Sequence, residues 1–185
     1  MSALLARRYL LEVDRYEQMV EAGIFTPDDK IELIEGELVN KMPIGIKHAA
    51  RVKRIARFFN HRFFEQVLVG VQDPIRLDYS EPEPDITLLR LRDDFYESGH
   101  PTPADILLII EVADSTLRSD RQAKIPIYAR NGIAEVWLLD ADKNRLEIYT
   151  QPVNGEYKGV RLVAPDEAIT IQLLPEVTLN AADLL

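Results

Sequence analysis

The chain has 185 residues, 46% of them apolar and 29% charged, the balance of an ordinary globular protein of one domain. It has no cysteine, which excludes disulfides and thiolate zinc sites, and its three histidines leave little scope for an all-imidazole metal site. Its net charge of −9 opposes long-range attraction to nucleic acid, so any such role must rest on how the charge is distributed.

The first residues meet charge at Arg7 and Arg8 before any sustained apolar run, against the pattern of a signal peptide. No apolar stretch approaches the roughly 20 residues that cross a bilayer. The expected location is therefore the cytoplasm, with no membrane partner.

Residues 12–22 have helical spacing at Val13, Tyr16, Met19 and Val20, stopped by Gly23. Residues 31–39 read as a hairpin around Glu35-Gly36. From about His48 to Glu65 the pattern is again helical, with Val52, Ile55, Ala56, Phe59 and Phe63 on one stripe. Residues 47–62 carry Lys47, Arg51, Lys53, Arg54, Arg57 and Arg62, six of the 22 basic side chains, and no acid. Lys47, Arg51, Lys53, Arg54 and Arg57 are candidates for a phosphate-tracking surface, although a basic helix face is often simply solvated. The phenylalanines at 58, 59, 63 and 64 read mostly as core.

Strands are expected at 67–71, 75–79 and 85–89, then a polar loop or short helix over 91–103. Ile106–Val112 is continuously apolar apart from Glu111 and reads as a strand buried on both faces. Residues 117–130 look helical, with Thr116 or Ser119 as caps, Asn131-Gly132 as the stop, and Pro126 forcing a kink or a late start. Strands follow at 135–139 and 146–149, with Trp137 in the core, then further strands over 157–178 and a short terminal helix. The fold class is α/β (α+β): a mixed β-sheet flanked by helices, holding a βαβ-type unit around the strand at 106–112, with a β-rich extension from about residue 150.

Two carboxylates at strand ends and one amine carry the chemistry. Asp85 follows Pro84 at the start of one strand, Glu111 closes another, and Lys124 lies one loop further on. Hard oxygen ligands from two carboxylates suit magnesium or manganese, because magnesium keeps several waters and takes the rest from a phosphate substrate. A metal so held opposes charge on the phosphate and acidifies water, and an amine beside it neutralises what develops. A glutamate after five apolar residues is costly to bury without a partner, and a metal would supply one. The plainer readings are a Pro-Asp turn, a solvated edge glutamate, and an Asp120–Lys124 helix pair. No Gly-rich phosphate loop, G-x-S-x-G or H-E-x-x-H motif is present.

Glu83-Pro-Asp-Ile86, the block 103–117 (PADILLIIEVADSTL), Asp120-Arg121, Lys124, Tyr128-Ala129 and the block 132–140 (GIAEVWLLD) together resemble the Uma-type restriction-endonuclease family of the PD-(D/E)XK nuclease superfamily. Residues 31–38 and 43–48 match its upstream pattern, so the likeness covers about residues 10–150. The resemblance implies a restriction-endonuclease-like core with a magnesium site, Asp85 and Glu111 being the metal ligands. It departs from the superfamily's Glu-x-Lys, since Glu111-Val112-Ala113 has alanine where lysine should stand, and Lys124 becomes the substitute. It also singles out Glu32, as a further carboxylate at the site, and His48, as a contact to phosphate or water. The plainer readings are a surface glutamate in a hairpin and a histidine at a helix start. Glu35 competes with Glu32, since strand alternation sets the two on opposite faces.

The implied activity is metal-dependent hydrolysis of DNA, or of RNA, with a homodimer as one way to cut two strands. The alternative is a catalytically inactive module of the same fold that binds nucleic acid or a protein, which Ala113 and the acidic net charge favour.

Overall fold

The structure, a computed structural model, describes residues 8–26, 28–41, 43–113, 123–140 and 142–185. Helix α1 (Val13–Glu21) buries Val13 and Tyr16 and is closed by Gly23, whose φ of +68° suits a residue without Cβ. Strands β1 (Ile31–Ile34) and β2 (Glu37–Asn40) form the expected hairpin. Its two turn residues both have positive φ, +49° at Glu35 and +78° at Gly36, the geometry that matches strand twist in a two-residue connection.

Helix α2 (Ile46–Phe63) starts two residues before the sequence pattern suggests and buries Val52, Ile55, Ala56 and Phe59. Strands β3 (Leu68–Gly70), β4 (Ile86–Leu89), β5 (Ile106–Ala113), β6 (Glu135–Asp140), β7 (Arg145–Val153) and β8 (Glu156–Val163) make one six-stranded sheet in that spatial order. All neighbours are antiparallel except β5 and β6, which run parallel. The crossover between that pair carries helix α3 (Ile125–Arg130), so the expected βαβ unit is present at the middle of the sheet. Strands β9 (Ala168–Ile171) and β10 (Leu174–Asn180) pair as a separate hairpin before a single 3-10 turn, Ala181–Asp183.

Pro126 sits at the start of α3, directly after the π-helical residues 123 and 124, where the spacing of the backbone ladder changes. Residues 114–122, including the possible caps Thr116 and Ser119 and the acid Asp120, lie outside the described residues.

One expected strand is absent. Residues 75–79 bury Ile75 and Leu77 but form an irregular loop. Their backbone donors go to Pro82, Pro101 and Ser80 carbonyls instead of to a ladder. Pro82 and Pro84 cannot donate in return, which breaks any regular pairing.

The sheet is packed on both faces. On one, α2 meets Ile86, Leu88, Leu108, Ile110 and Val112, with Ile169, Ile171 and Leu179 of the last hairpin in the same core. On the other, α3 contributes Ile125, Tyr128 and Ala129 against Ile109, Ala113, Val136 and Leu138. Strand β5 is therefore buried throughout, as an unbroken apolar run between two layers must be. Trp137 is fully buried, and its indole donates to Glu135 at 2.6 Å. Phe59 is core and Phe58 and Phe63 pack partly against it, but Phe64 is 65% exposed beyond the helix end.

Candidate active site

The functional side chains gather where β4 begins and β5 ends. The register pairs Ile86 with Ile110, so the next residues outward, Asp85 and Glu111, face each other across adjacent strands. Val112, immediately after Glu111, donates its backbone N–H to Asp85 Oδ2 at 2.8 Å. His48, in the first turn of α2, brings Nε2 to 2.8 Å from the other oxygen, Oδ1. Gln72 adds a longer amide contact to the same oxygen at 3.3 Å.

Gln72 holds this place with φ of +56°, in the left-handed region that a side chain normally avoids. Its own N–H points at the Pro84 and Asp85 carbonyls, which ties the turn to the start of β4.

Glu111 is 1% exposed on the face of β5 that carries Ile109 and Ala113. Two partners from the α3 region offset the cost of burying it. Lys124 places Nζ 3.3 Å from Oε1 and 3.4 Å from Oε2, and the Tyr128 hydroxyl donates to Oε1 at 2.5 Å. The four-residue spacing of Lys124 and Tyr128 sets both on one side of the turn, above the strand. Burial, followed by the Glu111 charge, holds the Tyr128 hydroxyl well above the usual tyrosine range, and Glu32 and Asp85 push the same way. The hydroxyl stays protonated and acts as a donor.

Glu32 stands on β1, half-buried, and accepts the Glu83 N–H at 3.2 Å through Oε2. Glu35 lies in the turn rather than in the strand, paired with Arg130, so alternation does not set it against Glu32. The structure thus brings Asp85, Glu111, Lys124 and His48 into one hydrogen-bonded group, with Glu32 near enough to act on the Tyr128 hydroxyl.

The donor set is one of hard oxygens, which fits magnesium or manganese rather than zinc. Among the described residues, no group of three or more His, Asp or Glu side chains stands ready to hold a metal. Asp85 and Glu111 are two carboxylates set together, a number that suffices for magnesium when water and phosphate complete the shell.

The candidate nucleic-acid residues divide. Lys47, Lys53, Arg54 and Arg57 are exposed on the outward face of α2, and none has a carboxylate partner among the described residues. Arg51 points elsewhere: its guanidinium donates to the Leu185 carbonyl at 2.5 Å. Most other described cations are paired, as Arg76 is with Asp14 and Glu17.

Sequence reasoning missed two members of the site. Tyr128 carried a usable signal, its spacing from Lys124. Gln72 carried none, because its link to Asp85 depends on a loop that brings residues 13 apart into contact.

This arrangement, two acids at the open end of a mixed sheet between helices, is a restriction-endonuclease-like fold. It superposes with a TM-score of 0.69 on the crystal structure described as that of "a putative nuclease belonging to DUF820 from Anabaena variabilis ATCC 29413", over 94% of this chain and 97% of that one, at 18% identity. The family model described as "Uma2: Putative restriction endonuclease" matches residues 13–182, and the chain belongs to that family. No curated protein matches it. No helix among the described residues is long and apolar enough to cross a membrane.

Proposed function

We propose that the protein is a metal-dependent endonuclease that hydrolyses DNA phosphodiester bonds at the Asp85–Glu111 end of the sheet. The observation that carries this reading is Glu111: a carboxylate 1% exposed in a central strand, opposite a second acid, with a lysine amine on it. A core glutamate and its retinue are expensive to keep, and such groups gather at functional sites.

When bound, a magnesium or manganese ion supplies positive charge against the scissile phosphate and acidifies water. Asp85 and Glu111 are its holders. His48 and the Val112 N–H fix the Asp85 carboxylate between them, so that it meets the ion already oriented. Lys124, partly exposed where Glu111 is not, can turn its amine from Glu111 to a non-bridging phosphate oxygen as charge builds there. In the overall hydrolysis the water oxygen bonds to phosphorus, one P–O bond to a sugar oxygen breaks, and that oxygen takes up a proton. The exposed Lys47, Lys53, Arg54 and Arg57 give an acidic protein a local surface for the backbone of the substrate. A homodimer supplies two such sites for two strands, in the cytoplasm where the DNA is.

A second reading is an inactive module that binds nucleic acid or protein. It is favoured by one feature: both carboxylates are already engaged by protein donors, Asp85 by His48 and Val112, Glu111 by Tyr128 and Lys124.

Incubating the protein with supercoiled plasmid, single-stranded DNA and RNA, with magnesium or manganese, separates the two. Metal-dependent cleavage that vanishes in Glu111→Ala supports the nuclease, and the substrate cut identifies the nucleic acid. Equal cutting by both proteins removes the site from the reaction. Binding without cutting on all three substrates leaves the module.

A further inference from the structure

We infer that Tyr128 is a positioning residue, which pins one oxygen of Glu111 so that the other is the one presented to the cation. The inference rests on the metal site proposed above and assigns a division of labour within it.

Tyr128 and Lys124 hold Glu111 in different ways. Tyr128 is 0% exposed, its ring packed among apolar residues of the α3 layer, and its hydroxyl reaches Oε1 at 2.5 Å. A tyrosine has only two side-chain torsions, and a fully buried ring in a close-packed core is held to one rotamer well. Lys124 contacts both oxygens, at 3.3 and 3.4 Å, through a long stem whose side chain is 19% exposed. One contact is short, directional and buried; the other is longer, shared and open to solvent.

A glutamate has three torsions, and a carboxylate at a strand end can present either oxygen, or both. With Oε1 held by a rigid donor, rotation of the carboxylate is quenched before any ion arrives. Oε2 then faces the position from which Lys124 withdraws, and Glu111 binds through that single oxygen. Partners that orient a ligand in this way typically change metal affinity about 10–100-fold when removed.

The test is manganese binding followed by the loss of the free Mn2+ electron paramagnetic resonance signal, without nucleic acid and without any measure of cleavage. The variants are Tyr128→Phe, which keeps the ring and deletes the donor, Glu111→Gln, and Ile109→Val, which loosens the same core layer and removes no polar group. The expected result is a dissociation constant about 10–100-fold weaker in Tyr128→Phe, near-complete loss in Glu111→Gln, and no change in Ile109→Val. Binding by Tyr128→Phe equal to wild type, or weakened no more than in Ile109→Val, overturns the positioning role and leaves the metal site standing. Binding that survives Glu111→Gln unchanged removes the metal site itself, and the role of Tyr128 with it.

Discussion

Asp85 and Val112 are joined across two strands by a hydrogen bond of 2.8 Å from the Val112 N–H to Oδ2. The first acid is thereby tied to the backbone next to the second, so their separation is set by main chain rather than by side-chain torsions. Asp85→Ala deletes the acceptor and leaves a buried N–H unpaired. The expected cost is about 1–3 kcal/mol of stability, beyond the loss of activity. Asp85→Asn keeps an oxygen for that bond and should unfold closer to wild type in urea while remaining inactive.

Lys124 and Glu111 invite a double-mutant cycle. Lys124→Met takes the cation away from a buried carboxylate that keeps its Tyr128 donor, and should destabilise by about 1–3 kcal/mol. Adding Glu111→Gln removes the stranded charge, and most of that stability should return. A coupling energy near zero in denaturant titrations would show that the ammonium contributes nothing to holding Glu111.

Glu81 gives a pH dependence away from the site. Burial, then the charge of Glu17 and a hydrogen bond with it, raise its pKa from 4.5 to about 7, Arg76 opposing and Glu83 adding to the rise. Its Oε2 is buried without a hydrogen-bond partner. Between pH 4.5 and 7 the folded protein holds a proton that the unfolded chain has released, so this contribution favours the fold at low pH and is lost as pH rises through 7. The loss amounts to at most about 3 kcal/mol. Urea midpoints for wild type and Glu81→Gln, compared at pH 5 and pH 8, should diverge, with the variant the less sensitive to pH.

Gly36 is a packing test of the N-terminal region. It has φ of +78°, and a Cβ there would stand 2.6 Å from the Leu10 Cβ and 3.1 Å from the Leu10 backbone. Gly36→Ala should cost more than about 1 kcal/mol from the left-handed conformation alone. It should also free the segment that donates from Leu11 to the Gly36 carbonyl, read as faster amide exchange at Leu11.

The outward face of α2 predicts a salt signature. Replacing Lys53, Arg54 and Arg57 by Gln should weaken nucleic-acid binding on any sequence. The slope of log K against log salt should fall by about one for each phosphate no longer neutralised. Arg51→Gln should leave that slope unchanged, since its guanidinium is spent on the Leu185 carbonyl.

Much of this was legible in the chain because the strongest signals are local. An apolar run such as Ile106–Val112 has only one economical home, and Glu35-Gly36 between apolar pairs specifies its turn. The absence of a strand at 75–79 was harder to see, because alternation is present there and the prolines that defeat it, Pro82 and Pro84, lie downstream. At the site, Asp85, Glu111 and Lys124 stood out as acids and an amine in strand-end positions. Their supports did not. Val112 acts through its amide, which every residue but proline has, and Gln72 through a turn whose strain no residue name announces. Tyr128 is a core residue with one polar atom turned towards Glu111, and only its spacing from Lys124 hinted at that.

The acids and their cation belong to parts of very different endurance. Glu111 sits in a strand bonded on both sides, whereas Lys124 precedes a described helix of only six residues. A terminal helical turn at the edge of a layer opens more readily than a strand bonded on both sides. Warming should therefore part the ammonium from its carboxylate while the sheet is still intact, and cooling should rejoin them without the delay of refolding.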